Sequence, residues 1–403
     1  MGETRLVIDE ERCNDCNLCI PACSVGALVA EQDEPAVGHV RRQYDLVVVG
    51  AGPAGSTAAW FAAEQGLDVL LLEKRQEIGS PVRCAEGINR EMLLRFLKPE
   101  EPWICAEINR SQIVNAETGE AQSFAGDEVG YVLERRIFDR TLAERAASAG
   151  AQVMVKSTVD GLLKENGAVR GVRAAHADTE FEIYAPIVVG ADGVESRVGQ
   201  WSGLRCTLPQ ADCLVCAQFL LVGIDVDPTC CYYYLGQELA PGGYAWVFPK
   251  GEGKANVGLG VQADFAEAPA LEYLNRFIAQ HRFLEQGSPV TLITGNVPVG
   301  VARGDIVGDG VMLVGDAARQ ADPLTGGGIA NAMIAGRLAA EVAAKAAAAG
   351  DVSRACLAQY QAGWAEERGR KMARNYRLKN RFSPAQRTSR SFLRAFALAT
   401  PGK

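Results

Sequence analysis

Histidine is nearly absent: His39, His176 and His281 are the only ones in 403 residues. They stand far apart, in no metal-ligand spacing. That excludes a histidine-built zinc centre and a Ser-His-Asp hydrolase. Uninterrupted apolar runs of membrane length are also missing. The longest, from Leu46 to Leu72, is broken by glycines and by Glu64 and Asp68, so it does not read as a span. No charged-then-apolar leader opens the chain, so the expected compartment is a reducing cytoplasm, where cysteines bind metal or stay thiols. Positive charge is in deficit, with 41 Lys and Arg against 49 Asp and Glu, and the net −8 argues against a nucleic-acid partner. The C-terminus is the exception. Between Trp364 and Lys403, eleven Lys or Arg face only Glu366 and Glu367, a surplus of nine that leaves the remainder at −17 against the overall −8.

What is present is a globular composition, with 48% apolar and 22% charged residues, which excludes disorder as the main state. The length suggests two or three domains. Residues 1–42 read as a cysteine-rich segment and linker. From Tyr44 the chain alternates strand and helix. Tyr44–Val49 is a continuous apolar run, as a strand buried on both faces requires; Ser56–Gln65 reads as a helix and Leu67–Glu73 as the next strand. Residues 136–149 read as an amphipathic helix ended by Gly150. Val153–Val155, Val169–Ala174 and Phe181–Val189 read as strands.

Between Cys213 and Val261, short Tyr-, Phe- and Val-rich strands alternate with Gly and Pro turns, the pattern of a β-meander. Ala268–Leu284 reads as a helix, Val311–Val314 as a buried strand, and an Ala-rich helix runs from Gly328 to Ala349. Strand–helix elements on both sides of the meander imply a discontinuous nucleotide-binding domain, 43–200 and 301–350. A β-rich domain, 201–300, is inserted in it, and a basic helical tail, 351–403, follows.

Gly50-Ala-Gly52-Pro-Ala54-Gly55 sits between strand and helix. Gly50 allows a tight turn, Gly52 lets a pyrophosphate approach the backbone, and Gly55 lets helix and strand pack closely. The helix N-terminus presents free N–H groups to phosphate. Glu73 ends the second strand, where a carboxylate binds ribose hydroxyls. Two further segments reinforce this motif: Val188-Val-Gly-Ala-Asp192-Gly193, and Gly315-Asp316 followed by Gly326-Gly-Gly328-Ile329. In the second, Asp316 is placed to hold a ribitol hydroxyl and the glycine amides to face a flavin ring or phosphate.

On these residues the chain resembles FAD-dependent oxidoreductases of the hydroxybenzoate-hydroxylase fold, and within them the geranylgeranyl reductase family. The narrower likeness rests on Pro81-Val-Arg-Cys84-Ala85-Glu-Gly87, on Tyr244-Ala-Trp246-Val-Phe248-Pro249 followed by Gly258-Leu-Gly260, and on Gly315-Asp316 with its glycine-rich helix start. The resemblance implies an α/β fold: a Rossmann-like FAD-binding domain of the glutathione-reductase and hydroxybenzoate-hydroxylase type, an inserted antiparallel β-sheet substrate domain and a C-terminal helical tail. It implies FAD contacts from Gly50, Gly52, Ala54, Gly55, Glu73, Cys84, Ala85, Gly87, Arg135, Val159, Asp192, Asp316, Gly328 and Ile329. Arg135 also fits physically, since arginine binds phosphate bidentately and this one opens a helix.

Cys13-x2-Cys16-x2-Cys19-x3-Cys23 matches the iron–sulfur spacing of bacterial ferredoxins, so a 4Fe-4S cluster is the expected second cofactor. In two-cluster ferredoxins the fourth cysteine serves the other cluster, and no second run exists here. Either Cys23 closes a local cluster or a remote cysteine does. Cys206, Cys213, Cys216, Cys230 and Cys231 are the remote candidates, and all five read more naturally as core residues.

Tyr244, Trp246 and Phe248 alternate along one strand and therefore share a face. As a pattern they read as sheet core. The family likeness instead makes them, with Pro249, Gly258 and Gly260, the wall for a long apolar substrate. Cys84 is the candidate catalytic residue, tuning a flavin or positioning a proton. The expected function is an FAD-dependent reductase that saturates C=C bonds of a geranylgeranyl lipid, its electrons arriving from ferredoxin or another low-potential donor through the cluster. The competing readings are a flavin monooxygenase or halogenase of the same fold and an electron-transfer:quinone oxidoreductase. The tail, which mixes Arg and Lys with Phe382, Phe392, Leu393, Phe396 and Leu398, adds an expectation of peripheral contact with an anionic membrane.

Overall fold

The computed structural model describes residues 40–100, 102–177, 179–204, 208–302 and 304–399, and the side chains of 126–129 are outside it. The four cysteines of the ferredoxin-type run, and Cys206, lie outside the described residues.

The nucleotide-binding half is built on a six-stranded sheet. Its strands are β1 (Leu46–Val49), β2 (Val69–Leu72), β6 (Gln152–Met154), β10 (Ile187–Gly190), β16 (Val307–Gly308) and β17 (Val311–Leu313), in the order β16-β17-β10-β1-β2-β6. All pairs are parallel except β16 with β17. Every residue of β1 and β2 is buried, because helices cover both faces and leave no room for polar alternation. Helix Pro53–Glu64 crosses helix Ile329–Ala349 so closely that a Cβ on Gly336 would sit 2.4 Å from the Ala54 carbonyl oxygen.

The run expected as one strand, Phe181–Val189, is two. β9 (Thr179–Tyr184) joins β7 (Ser157–Glu165) and β8 (Ala168–His176) in a three-stranded antiparallel sheet, whereas β10 joins the parallel one. The break falls at Ala185-Pro186, where proline has no N–H for a ladder. The helix expected over Ala268–Leu284 is also divided, into Ala270–Ala279 and the short turn Arg282–Glu285.

The substrate-side sheet has eight strands. They are β3 (Gly87–Asn89), β4 (Ile104–Asn115), β5 (Ala121–Leu133), β11 (Cys213–Val222), β12 (Cys230–Leu235), β13 (Tyr244–Pro249), β14 (Lys254–Gln262) and β15 (Ser288–Pro298). Their order, β15-β11-β14-β13-β12-β4-β5-β3, differs from expectation in two ways. β11 lies beyond β14 and not beside β12, so the segment is not a meander. The sheet also recruits β3 to β5 from residues expected to belong wholly to the nucleotide domain, through a parallel β12–β4 pair. The reason is burial: the 201–300 strands alone would leave the β12 edge open.

One face of this sheet packs on helix Ala270–Ala279 through Ala245, Val247, Val257 and Leu259. The opposite face carries Trp246, Phe248, Tyr233 and Cys231 and is covered by the C-terminal helix Arg390–Ala397. There Phe396 meets Tyr244 and Tyr233 edge-on at 5.1 and 5.8 Å between ring centroids. Phe392, Leu393 and Phe396 therefore sit in the interior, while Leu398 is exposed and Arg390 and Arg394 point outward. Helix Arg370–Arg381 is pinned as well. Asn375 donates to Asp322 at 2.8 Å, the Tyr376 hydroxyl to Asp212 at 2.9 Å, and Lys379 to the Val299 carbonyl at 2.6 Å.

Candidate active site

The glycine turn after β1 is shaped by two internal contacts and one opening. Gly50 has φ +103°, and a Cβ there would lie 2.5 Å from the Ala191 carbonyl oxygen. A Cβ on Gly55 would lie 1.8 Å from the Gly50 carbonyl oxygen. Gly52 is different: nothing lies within 4 Å of its missing Cβ, and it borders a cavity. Helix Pro53–Glu64 starts there without a side-chain cap, so its first amides remain available to an anion. Glu73 is held at the same turn, accepting from the Ala51 N–H at 2.9 Å and the Arg75 N–H at 3.0 Å.

The cavity, about 360 Å³, joins the two halves of the molecule. Gly52, Ala54, Asp316, Gly328 and Ile329 border it from the nucleotide side, and Tyr244, Trp246 and Phe248 from the sheet. Cys84, Ala85, Gly87 and Arg135 lie along the same wall. Other expected residues are not on it: Gly50, Gly55, Glu73, Val159, Asp192, Pro249, Gly258 and Gly260 stand behind the lining or away from it. Asp192, expected to contact cofactor, braces the start of helix Arg197–Ser202, which Ser196 caps. Its carboxylate accepts from the Ser196 hydroxyl at 2.7 Å and the Val198 N–H at 3.0 Å, and its neighbours Ala191 and Gly193 are the ones lining the cavity.

Arg135 opens helix Arg135–Ser148 and is held by its own helix. Its guanidinium forks onto Asp139, Nε to Oδ1 at 2.6 Å and one terminal nitrogen to Oδ2 at 2.7 Å. One edge of the guanidinium is thereby taken, which fixes Arg135 as a buried cation on the cavity wall with its other terminal N–H donors left for a ligand. Nearby is a second buried ionic group that the sequence reading missed. Glu86, in a left-handed conformation with φ +74°, accepts from Lys250 at 2.6 Å, Asn256 at 2.6 Å and the Arg135 N–H at 2.8 Å. Lys250 also donates to Glu134 at 3.0 Å. Burial works against the Lys250 charge, but Glu86 outweighs it and raises its pKa above 10.5. This network braces the loop that carries Cys84. The Cys84 thiol accepts from the Glu86 N–H at 3.2 Å, and burial raises its pKa against the pull of Arg135, so it stays protonated at neutral pH.

The aromatic wall explains its own sequence spacing. Antiparallel register sets Trp246 opposite Gly258, and Gly258 opposite Gln218 on β11. The next row sets Tyr244 opposite Gly260 and Gly260 opposite Cys216. Gly258 and Gly260 are empty slots in the middle strand. A Cβ on Gly258 would meet the Trp246 ring at 2.6 Å, and one on Gly260 the Cys216 sulfur at 3.0 Å. The indole therefore lies across β14, and its Nε1–H reaches Gln218 Oε1 at 2.8 Å. Gln218 passes the link on, donating from Nε2 to the Cys84 carbonyl at 3.0 Å. Phe248 rests on the backbone of Gly87, where a Cβ would lie 3.1 Å from its ring, and the Tyr244 hydroxyl donates to the Thr325 carbonyl of the glycine loop.

Gln218, Glu86, Lys250 and Asn256 were missed because each reads alone as an ordinary polar residue. The signal available was contrast: Gln218 is the one amide in the apolar strand Cys213–Val222, and Lys250 follows Pro249 directly.

Asp316 faces the cavity beside Gly328, and no group among the described residues bonds its carboxylate. Burial pushes its pKa up from 3.8 to about 6, against the pull of Arg135. Between those values the folded chain holds more protons than the unfolded one, so stability falls as pH rises through that window. An open Gly52 backbone, uncapped helix amides and an unpartnered carboxylate together fit a nucleotide cofactor with hydroxyls and a pyrophosphate. Asp316→Asn is expected to flatten the pH dependence of the flavin-free chain's urea midpoint between about pH 4 and 6. It is also expected to lower the flavin content of purified protein.

Comparison with known proteins agrees with this geometry. The profile of the geranylgeranyl reductase catalytic domain matches residues 212–297, that of an FAD binding domain residues 43–246, and that of a 4Fe-4S binding domain residues 6–29. The chain is 50% identical over 347 residues to a digeranylgeranylglycerophospholipid reductase of Methanosarcina acetivorans, covering 84% of each. It is 49% identical over 351 residues to that of Methanosarcina mazei, covering 85% of this chain and 86% of the relative. Among solved structures, a geranylgeranyl bacteriochlorophyll reductase-like protein of Thermoplasma acidophilum superposes with TM-score 0.84 at 40% identity, covering 89% of this chain and 96% of that one. The flavin-dependent brominase Bmp2, as a triple mutant, gives TM-score 0.71 at 18% identity over 89% of this chain and 94% of that one, a likeness of fold alone.

Proposed function

We propose, from the premise that this chain belongs to the geranylgeranyl reductase family, that its cavity seats a flavin against one end of a digeranylgeranylglycerophospholipid chain. The enzyme is an FAD-dependent reductase acting on C=C bonds, with FAD and a 4Fe-4S cluster as cofactors. FAD, when bound, supplies the hydride equivalent for the olefin, and the cluster supplies electrons singly. The observation that carries the reading is the continuity of one cavity from Gly52 and Asp316, past Cys84, to Tyr244, Trp246 and Phe248.

The proposed roles follow from position. Gly52, Ala54 and the first amides of helix Pro53–Glu64 hold the pyrophosphate. Asp316 takes a hydroxyl of the cofactor, and Gly328 and Ile329 close over it. Arg135, braced by Asp139, supplies positive potential and its remaining terminal N–H donors. The aromatic wall excludes water and takes up isoprene surface, since binding grows with apolar area removed from water. An isolated alkene is a poor electrophile, so fixed geometry in a dry site is what the protein contributes. Cys84, kept as a thiol, is placed to hold a proton at Sγ beside the reacting carbons. Cys13, Cys16, Cys19 and Cys23 are the proposed cluster ligands, and ferredoxin the electron donor. Residues 43–200 and 301–350 serve the flavin, with β3 to β5 assigned to the lipid side together with 201–300.

The test is anaerobic. The bound flavin is reduced and then offered digeranylgeranyl phospholipid or a quinone. Reoxidation by the lipid, with products heavier in steps of two hydrogens by mass spectrometry, is the expected result. Reoxidation by quinone alone overturns the reading in favour of electron transfer.

No helix among the described residues is long and apolar enough to cross a membrane. We propose that contact with the lipid surface is electrostatic, through outward residues such as Arg390 and Arg394. Flotation on anionic vesicles is then expected to fall steeply with salt and on Arg390→Glu with Arg394→Glu. Salt-independent flotation would point to apolar insertion instead.

A further inference from the structure

We infer that Gln218 is a positioning residue for C=C reduction: it couples the wall that holds the isoprene chain to the loop that faces the flavin. The inference rests on the function proposed above and adds the element that sets the distance between its two halves.

The geometry is specific. Gln218 is 3% exposed and sits on the cavity face of β11. Its amide oxygen accepts from the Trp246 indole N–H, and its amide nitrogen donates to the Cys84 carbonyl. Trp Nε1–H can only donate and a backbone carbonyl can only accept, so one orientation of the amide satisfies both partners. No shorter route exists along β13, because Trp246 reaches Gln218 only across the vacant Gly258.

An ordinary core glutamine closes hydrogen bonds within its own strand neighbourhood. This one bridges two segments 162 residues apart, Cys84 and Trp246, that both border one cavity. A shift of the indole therefore moves the Cys84 loop, and the reverse. Hydride transfer to an alkene tolerates little misplacement, with a shift of about 1 Å costing on the order of a hundredfold in rate. A bridge that fixes wall to loop is thus expected to act on the reductive step more than on lipid capture.

Two variants separate positioning from packing. Gln218→Leu fills similar volume and breaks both bonds. Gln218→Glu is isosteric: as a neutral acid it still accepts from Trp246 and donates to Cys84, and as a carboxylate it repels the Cys84 carbonyl. Burial raises the pKa of such a group above its usual value of about 4.3. The neutral form therefore persists at mildly acid pH and is lost as pH rises through the raised pKa.

The experiment uses the full-chain holoenzyme, anaerobically. Wild type and both variants are checked for flavin content, then followed for flavin reoxidation by digeranylgeranyl phospholipid across pH. Tryptophan labelled with a heavy nitrogen isotope reports solvent exchange of the Trp246 indole N–H, assigned with Trp246→Phe. The expected result is normal flavin content and reoxidation slowed about tenfold or more in Gln218→Leu at every pH. Gln218→Glu should be rescued toward wild type at low pH only, and the indole N–H should exchange faster wherever reoxidation is slow. Equal reoxidation in Gln218→Leu and wild type, or a Gln218→Glu profile parallel to wild type, overturns the inference. If wild-type flavin itself is not reoxidised by the lipid, the proposed function fails, while the indole exchange still reads the bridge independently.

Discussion

Glu86→Ala is expected to lower the stability of the enzyme by about 3 kcal/mol, the low end of the cost of breaking a buried ion pair, because Lys250 keeps Glu134 at 3.0 Å. Glu86 and Lys250 have side chains only 3% and 7% exposed, so solvent cannot replace the lost carboxylate. Asn256 and the Arg135 N–H lose their acceptor with it. Glu86→Gln keeps a hydrogen-bond acceptor and is expected to cost less. Adding Lys250→Met to Glu86→Gln should recover part of the loss, because a buried cation left with the half-exposed Glu134 alone is then gone. Glu86→Gly is expected to be milder than Glu86→Ala by about 1 kcal/mol, because φ +74° penalises any side chain with a Cβ. Urea midpoints of the flavin-loaded protein give the comparison. Wild-type stability in Glu86→Gln would show that the ion pair does not brace the loop. The pair's contribution should hold from neutral pH up to about 10.5 and be lost as pH rises from there through the raised Lys250 pKa.

Gly258→Val is expected to slow lipid reduction sharply while leaving flavin bound. Its backbone is not in the left-handed region, so the argument is steric. The first added carbon would lie 2.6 and 2.7 Å from two indole atoms and 2.8 Å from Gln218 Cβ. Valine, a good strand former, suits β14 in every other respect, so the fold should survive and Trp246 should leave its slot. Reoxidation of reduced flavin by lipid is expected to slow by about a hundredfold, matching a displacement near 1 Å. The flavin spectrum should stay close to wild type, since Gly258 lies behind the wall and outside the cavity lining. Gly260→Ala, whose Cβ would press on the single atom Cys216 Sγ at 3.0 Å, should do much less. Equal effects of the two substitutions would mean that the row through Trp246 has no special place.

Much of the nucleotide half was legible along the chain because its constraints are local. Gly50, Gly52 and Gly55 act within a single strand-turn-helix unit, and β1 and β2 announce burial on both faces through uninterrupted apolar residues. Arg135 and Asp192 were less legible. Each has the right charge and an apt place, but Arg135 also forks onto Asp139 and Asp192 also accepts from Ser196 and Val198, and sequence spacing does not reveal such partners. The glycines at 258 and 260 carried a motif without a visible reason. The reason lies in register between three strands, which no single strand encodes.

Residue order alone determined the family, the flavin fold and the iron–sulfur spacing, since these rest on short patterns whose physics is complete within a few residues. Tertiary structure decided which side chains meet: Glu86 with Lys250, Trp246 with Gln218 across an empty slot, and the tail's phenylalanines with the aromatic wall. Those contacts join segments far apart in sequence, and burial and strand pairing choose among many chemically acceptable partners.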